Sequence, residues 1–256
     1  MTAATMPTRA VVIGASGGIG AALAEALADE DIAVAGFARS FEGDRHIDIE
    51  NEDSIAAAAA RVEGAPDLIF VATGVLEVGA NTPEKAYRDL DPALLARAFA
   101  VNAIGPALVA KHFLPLMPRA GRTVFATLSA RVGSIGDNRM GGWYGYRAAK
   151  AGLNQLIRTL AIEEKRRNDR SIVVALHPGT VDTALSKPFQ GNVRPGPLFA
   201  PDRAAVQLLD VIEGLKVSDS GKLFDWEGKE VTPCGCGPFR GADFPLPTRA
   251  RTRRRA

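Results

Sequence analysis

The chain is poor in the residues that build several common kinds of site. Its two cysteines, Cys234 and Cys236, stand one residue apart, a spacing unsuited to a bridge and too few ligands for a metal centre. Its three histidines, His46, His112 and His177, show no ligand spacing, and His177 before a proline at a strand end reads as packing. No metal is expected. Apolar runs stay short of the ~18 residues a membrane span needs, and Met1 to Arg9 has no charged n-region followed by an apolar core. The expectation is a cytoplasmic protein with no membrane partner. Aromatics are 6% of the residues, and the basic C-terminal stretch, with Phe239 and Phe244 alone, is read as lacking a stacking platform. From Pro233 onward six arginines face one acid, Asp243, so that end carries +5 and the rest −3. We expect residues 1–232 to form one domain and residues 233–256 to be a disordered Pro/Gly/Arg-rich tail, with no nucleic-acid partner.

What is present has a regular order. Ala10 to Ile13 is a short apolar run leading into Gly14-Ala15-Ser16-Gly17-Gly18-Ile19-Gly20 and then an alanine-rich helical pattern. Glycines in a strand–turn–helix setting let the backbone approach a phosphate and deliver amides at a helix N-terminus. A second strand, Ile32 to Phe37, ends at Ala38-Arg39-Ser40. At that place an arginine suits the 2′-phosphate of NADP, whereas an acid suits the free hydroxyl of NAD. Arg39 and Ser40 therefore point to NADP(H) as the preferred cofactor, with NAD(H) possible.

His46-Ile47-Asp48-Ile49 alternates like a short third strand, with Asp48 and Ile49 where an adenine ring would end, although an acid before a helix also serves as a cap or a solvated group. Asp67 to Val71 is a fourth strand running into Ala72-Thr73-Gly74, Arg122 to Leu128 a fifth ending at Ser129, Ile172 to Leu176 a sixth, and Gly221 to Trp226 a last. Strands alternating with helices give an α/β fold: one doubly wound, Rossmann-type domain with a seven-stranded parallel sheet. The cofactor half spans about residues 8–120 and the catalytic and substrate half about 121–232. Within the helical stretch Pro92 to Met117, Asn102 interrupts an apolar face; it either bonds a neighbouring backbone group or holds an ordered water. Gly105-Pro106 predicts a local bend there. The loop Ala184 to Ala200 has apolar residues without a period, as loops covering substrates often do.

Tyr146 and Lys150 lie four residues apart on a helical pattern running to about Arg167, so both project from one face. A nearby ammonium favours the phenolate and suits a tyrosine for proton transfer.

These pieces in this order resemble the short-chain dehydrogenase/reductase family, from about Thr8 to Val231. The motifs are the Gly14/Gly18/Gly20 turn, Ala72-Thr73-Gly74, Asn102, the strand-end serine, Tyr146 with Lys150, and then Pro178-Gly179 and Thr183. The loop Gly133 to Asn138 with Gly141-Gly142-Trp143 looks like the branch of the bacterial C-factor-like carbonyl reductases. The resemblance implies an NADPH-dependent enzyme that reversibly reduces a ketone or aldehyde to an alcohol. Tyr146 would be the general acid/base, and Lys150 would hold the nicotinamide ribose and lower the phenol's pKa. Ser129 would bind the substrate oxygen, with Ser134 as alternative, and Asn102 would hold a water that connects Lys150 to solvent. Ser16, Gly17 and Ile19 would complete the pyrophosphate turn, and Pro178, Gly179, Val181 and Thr183 the nicotinamide side. Ala130 stands where the family often has its second, catalytic serine. A homodimer or homotetramer is implied, paired through the helices at Pro92–Met117 and Tyr144–Arg167. A cofactor-binding regulatory protein with little turnover is the alternative.

Overall fold

The computed structural model describes residues 7–76, 82–187 and 198–233. Six strands form one parallel sheet: β1 (Arg9–Ile13), β2 (Ala33–Phe37), β3 (Leu68–Val71), β4 (Thr123–Leu128), β5 (Ser171–His177) and β8 (Leu223–Asp225), in the spatial order β2-β1-β3-β4-β5-β8. A separate parallel pair joins β6 (Thr180–Val181) to β7 (Leu198–Phe199).

The seven-stranded expectation is therefore corrected to six in the main sheet, because the third predicted strand does not form. His46 makes a single bridge to Ala38, and the chain then turns away. Asp48 accepts the Glu50 N–H at 3.0 Å, and its own N–H goes to Ser54 Oγ at 2.9 Å, so side chains satisfy this backbone in place of a ladder. Ile47 and Ile49 are buried all the same, which is why their alternation reads as a strand.

Side chains alternate along each strand and so feed two cores, one on each face. Val11, Ile13, Ile69, Val71, Phe125 and Val173 point to the face covered by α2 (Glu52–Ala60), α4 (Gly105–Phe113) and α5 (Tyr144–Arg167). Val12, Leu68, Phe70, Val124, Ile172 and Val174 point to the other, covered by α1 (Gly18–Asp29) and α6 (Pro201–Gly214). Each large apolar side chain buried this way contributes about 1.5–3 kcal/mol. This is the Rossmann-type, doubly wound α/β architecture.

Local chemistry sets the helix ends. Asn51 caps α2 through the Asp53 and Ser54 amides; Asp91 caps α3 (Pro92–Phe99) through Ala93 and Leu94, with Pro92 in the first turn. Between α3 and α4 the chain forms a π-helical turn, Ala100–Ile104, and this is the irregularity that Gly105-Pro106 foretold as a bend. The whole stretch Pro92–Leu116 is long and apolar enough to cross a membrane by length and composition alone. Here Val101, Ala103, Val109, Ala110 and Phe113 spend that apolar character on the core under the sheet.

The sheet order fixes where a ligand fits. From β1 the chain moves outward to β2, then returns to place β3 on the other side of β1. That reversal opens a crevice at the carboxyl ends of β1 and β3, the usual ligand position in such sheets.

Candidate active site

The glycine turn sits in that crevice. Gly14 is left-handed (φ 92°), and a Cβ on Gly20 would lie 2.2 Å from the Gly14 carbonyl oxygen, so both positions require glycine. Gly14 N–H and Ala15 N–H are taken by the Phe37 carbonyl at 2.7 and 3.0 Å. Helix α1 starts at Gly18 without a side-chain cap, and Ser16, Gly17 and Gly18 are exposed. The first-turn amides thus have no side-chain cap at the positive end of the helix dipole. Ile19 is half-buried beside them.

Ala72-Thr73-Gly74 forms the opposite wall. A Cβ on Gly14 would meet the Ala72 backbone and Thr73 Cγ2 at 3.1 Å. Among the described residues, Thr73 Oγ1 is buried without a hydrogen-bond partner, a polar atom turned into the protein with nothing of the protein's own to bond. An uncapped helix start, an exposed glycine turn and an orphaned hydroxyl fit the pyrophosphate-bearing part of a dinucleotide.

At the end of β2, Arg39 is 68% exposed and lies 3.9 Å from Glu50, which also holds Arg97 at 2.9 Å. Ser40 beside it is exposed. A second cation here escaped the sequence reading: the Arg45 guanidinium lies 4.4 Å over the Phe41 ring and donates Nε–H to the Gly36 carbonyl at 3.1 Å. Asp48 and Ile49 follow, on irregular chain where a strand was expected. On the far side, Pro178, Gly179 and Val181 line the segment after β5, and Thr183 packs onto the turn, its Cγ2 lying 2.8 Å from where a Gly18 Cβ would be.

Helix α5 brings Tyr146 and Lys150 together. Lys150 Nζ lies 5.7 Å from the Tyr146 ring centroid and donates to the Leu128 carbonyl at 2.9 Å. Lys150 is 2% exposed, and burial pulls its ammonium down from 10.5 to about 7. Burial likewise pushes the Tyr146 phenol above its ordinary value. The sequence suggested the opposite direction for the phenol. In the cofactor-free chain desolvation opposes charge on both groups, so the phenol is pushed up and the ammonium down.

Asn102, fully buried in the π-helical turn, clamps the chain after β3. Its Nδ2 donates to the Val75 carbonyl at 2.8 Å and to the Ala98 carbonyl at 3.1 Å, while Oδ1 accepts the Val75 N–H at 3.1 Å. The backbone bonding expected of Asn102 is present. A Cβ on Gly74 would lie 3.2 Å from Asn102 Oδ1, 3.6 Å from Lys150 Nζ and 3.8 Å from Leu185, so wall, amide, lysine and the segment after β6 converge at one point.

Neither serine joins that point through its hydroxyl proton. Ser129 Oγ donates to Asn154 Oδ1 at 2.7 Å, and Ser134 Oγ donates to the Thr232 carbonyl at 2.6 Å. Ala130, between them, is buried. Trp143 packs edge-on to Tyr146, ring centroids 6.5 Å apart, and Glu84 reaches the start of α5; sequence alone gave neither contact. His177 Nδ1 is buried without a partner, and burial takes that imidazole down to about 4, so it stays neutral. Among the described residues no group of His, Cys, Asp and Glu side chains is arranged to hold a metal ion.

A dinucleotide crevice beside a half-buried tyrosine and a buried lysine on one helix face defines an oxidoreductase of the nucleotide-cofactor class. The chain belongs to the short-chain dehydrogenase family, whose profile matches residues 8–193. It is 37% identical over 146 residues to the C-signal protein of Myxococcus xanthus, covering 57% of this chain and 82% of that one. It is 32% identical over 188 residues to 1-hydroxy-2-glutathionyl-2-methyl-3-butene dehydrogenase of Rhodococcus sp. strain AD45, covering 71% of this chain and 76% of that one. A short-chain dehydrogenase/reductase of Burkholderia multivorans solved with bound NADP superposes with a TM-score of 0.73 at 25% identity, over 89% of this chain and all of the other.

Proposed function

We propose that this protein is an NADPH-dependent reductase of ketones or aldehydes, reversible toward the alcohol, with Tyr146 as general acid/base. The observation that carries the reading is the Tyr146–Lys150 pair on one face of α5, with Lys150 Nζ 5.7 Å from the Tyr146 ring centroid. When bound, the nicotinamide supplies the hydride. The chain's own part is the proton: Tyr146 Oη would donate it to the carbonyl oxygen. Lys150, held by the Leu128 carbonyl, takes up or gives a proton near neutrality because burial has brought it to about 7. Asn102 fixes Val75 and with it the wall at Gly74.

NADP(H) preference rests on Arg39 and Ser40, to which we add Arg45, two guanidinium groups at the strand end where the 2′-phosphate is read. The NADP-bound Burkholderia protein supports that choice; NAD(H) remains the second cofactor in rank. Likeness to the Myxococcus protein over more than half the chain supports the C-factor-like branch. Exposed Ile104 and Ile162, on the helical stretches assigned to pairing, support a homodimer or homotetramer. Ser129 reaches a substrate oxygen with its hydroxyl proton only by giving up Asn154.

That committed serine, with Ala130 in the place of a second, favours one other reading: an NADP(H)-binding regulatory protein with little turnover. NADPH consumption over aliphatic and aromatic carbonyls separates the two. Tight NADPH binding with no consumption across the panel would establish the regulatory reading.

A further inference from the structure

The helix that carries both proton-handling residues has an unusual start. Three successive residues before it are left-handed: Gly141 (φ 64°), Gly142 (φ 66°) and Trp143 (φ 52°). Glycine enters that region freely, whereas a tryptophan there costs about 1–3 kcal/mol and persists only where its surroundings impose it. Trp143 offers no side-chain cap, so the first-turn amides of α5 need partners from elsewhere in the chain.

Glu84 supplies them from a segment 61 residues away. Its backbone carbonyl accepts the Trp143 N–H at 2.5 Å, and its carboxylate Oε2 accepts the Gly145 N–H at 3.2 Å. Glu84 is 9% exposed, and a carboxylate so placed needs hydrogen-bond partners and a favourable field; the α5 N-terminus gives both. The fit is close. A Cβ on Gly145 would lie 2.9 Å from Glu84 Oε1, so the residue before Tyr146 is glycine where the carboxylate passes. One turn further, Lys150 is tied to β4 by the Leu128 carbonyl. The segment holding Tyr146 is thus anchored on both sides, and the Glu84 anchor comes from the cofactor half, where Leu95 and Ala98 of α3 also pack at Gly145.

We propose that Glu84 is the positioning residue for Tyr146, setting the place of the phenol by holding the first turn of α5 against the chain that follows β3. This rests on Tyr146 being the general acid/base. Glu84 does not touch the reacting atoms. It acts through the Trp143 and Gly145 amides, and displacement of a reacting group by about 1 Å is enough to cost on the order of 100-fold in rate. The residues assigned to the pyrophosphate and 2′-phosphate lie on α1 and at the end of β2, so loss of Glu84 should disturb no NADPH contact beyond the ribose contact assigned to Lys150.

The test compares Glu84→Ala, Glu84→Gln and Glu84→Asp with the parent and Tyr146→Phe in kcat, KM and NADPH Kd, together with amide hydrogen exchange at residues 143–150 without cofactor. Glu84→Ala is expected to lower kcat about tenfold or more with NADPH Kd within about twofold. Exchange at Gly145 should quicken while the second half of α5 stays protected. Glu84→Gln keeps an acceptor oxygen and should recover most of the rate. Parental kcat in Glu84→Ala, or a loss of kcat and NADPH affinity in step, overturns the proposal, as does Glu84→Gln no better than Glu84→Ala. Should Glu84→Ala not fold, Glu84→Asp withdraws the carboxylate by one methylene and should lower kcat alone; an unimpaired Glu84→Asp overturns it. Tyr146→Phe at parental rate would overturn the site reading and this proposal together, whereas a dead Tyr146→Phe beside an unimpaired Glu84→Ala sinks only this proposal.

Discussion

At the scale of single residues, the site is governed by what burial does to charge. Lys150 is the clearest case, since its ammonium falls from 10.5 to about 7 in the folded chain. Between those values the unfolded chain holds a proton that the folded chain has lost. Stability of the cofactor-free protein should therefore rise with pH from about 7 to about 10, by up to ~1.4 kcal/mol per pH unit. Denaturant midpoints at stepped pH check this, and Lys150→Met should flatten the slope. The serines give a second test. Because Ser129 donates to Asn154, Ser129→Ala should lower turnover less than about tenfold, far less than loss of an acid/base group worth ~10²–10⁴. Ala130→Ser, which puts a hydroxyl where the resemblance implies a second serine, should raise kcat; an unchanged rate would speak against a role for a hydroxyl there.

At the scale of elements, the π-helical turn Ala100–Ile104 does the work that a straight helix could not. It presents Asn102 to both backbone groups of Val75 while Gly105 closes on Ile49, where a Cβ would come within 2.9 Å of the carbonyl oxygen. Asn102→Ala strands the Val75 N–H and carbonyl and should cost about 1–3 kcal/mol in a denaturant titration, with NADPH turnover falling as the Gly74 wall loosens. How much of this was legible varies with how local the cause is. The Gly14–Gly20 turn, the Tyr146–Lys150 face and the anomaly at Asn102 are written in neighbouring residues, so spacing alone exposes them. His46 to Ile49 misled because burial of Ile47 and Ile49 imitates strand alternation, while Asp48 and Ser54 take over the backbone bonding a ladder would supply. Glu84 and Arg45 act across 61 and 9 residues through backbone partners, a relation that no spacing in the sequence records. The loop Ala184 to Ala200 shows why a missing period is not a missing element: its last residues form β7, paired to β6, while residues 188–197 lie outside those described.

At the scale of the whole molecule, the order β2-β1-β3-β4-β5-β8 gathers the cofactor's expected contacts along one edge: the glycine turn after β1, Arg39 after β2, Thr73 after β3 and Thr183 beyond β5. A ligand bridging so many strand ends stabilises the fold as a unit. NADPH at 100 times its Kd should add about 2.7 kcal/mol to unfolding free energy, seen as a raised Tm. Arg39→Ala and Arg45→Ala should each remove more of that stabilisation for NADPH than for NADH; equal losses would leave the 2′-phosphate without its assigned partners. The central claim is that this edge serves proton and hydride transfer to a carbonyl, with the proton coming from Tyr146. The measurement that meets it most directly is NADPH consumption across a panel of aliphatic and aromatic carbonyls by the parent and by Tyr146→Phe, with NADPH Kd determined for both. The parent should consume NADPH, and Tyr146→Phe should lose ~10²–10⁴ of that rate with little change in Kd; a Tyr146→Phe protein that consumes NADPH at the parental rate would rule out Tyr146 as the proton donor.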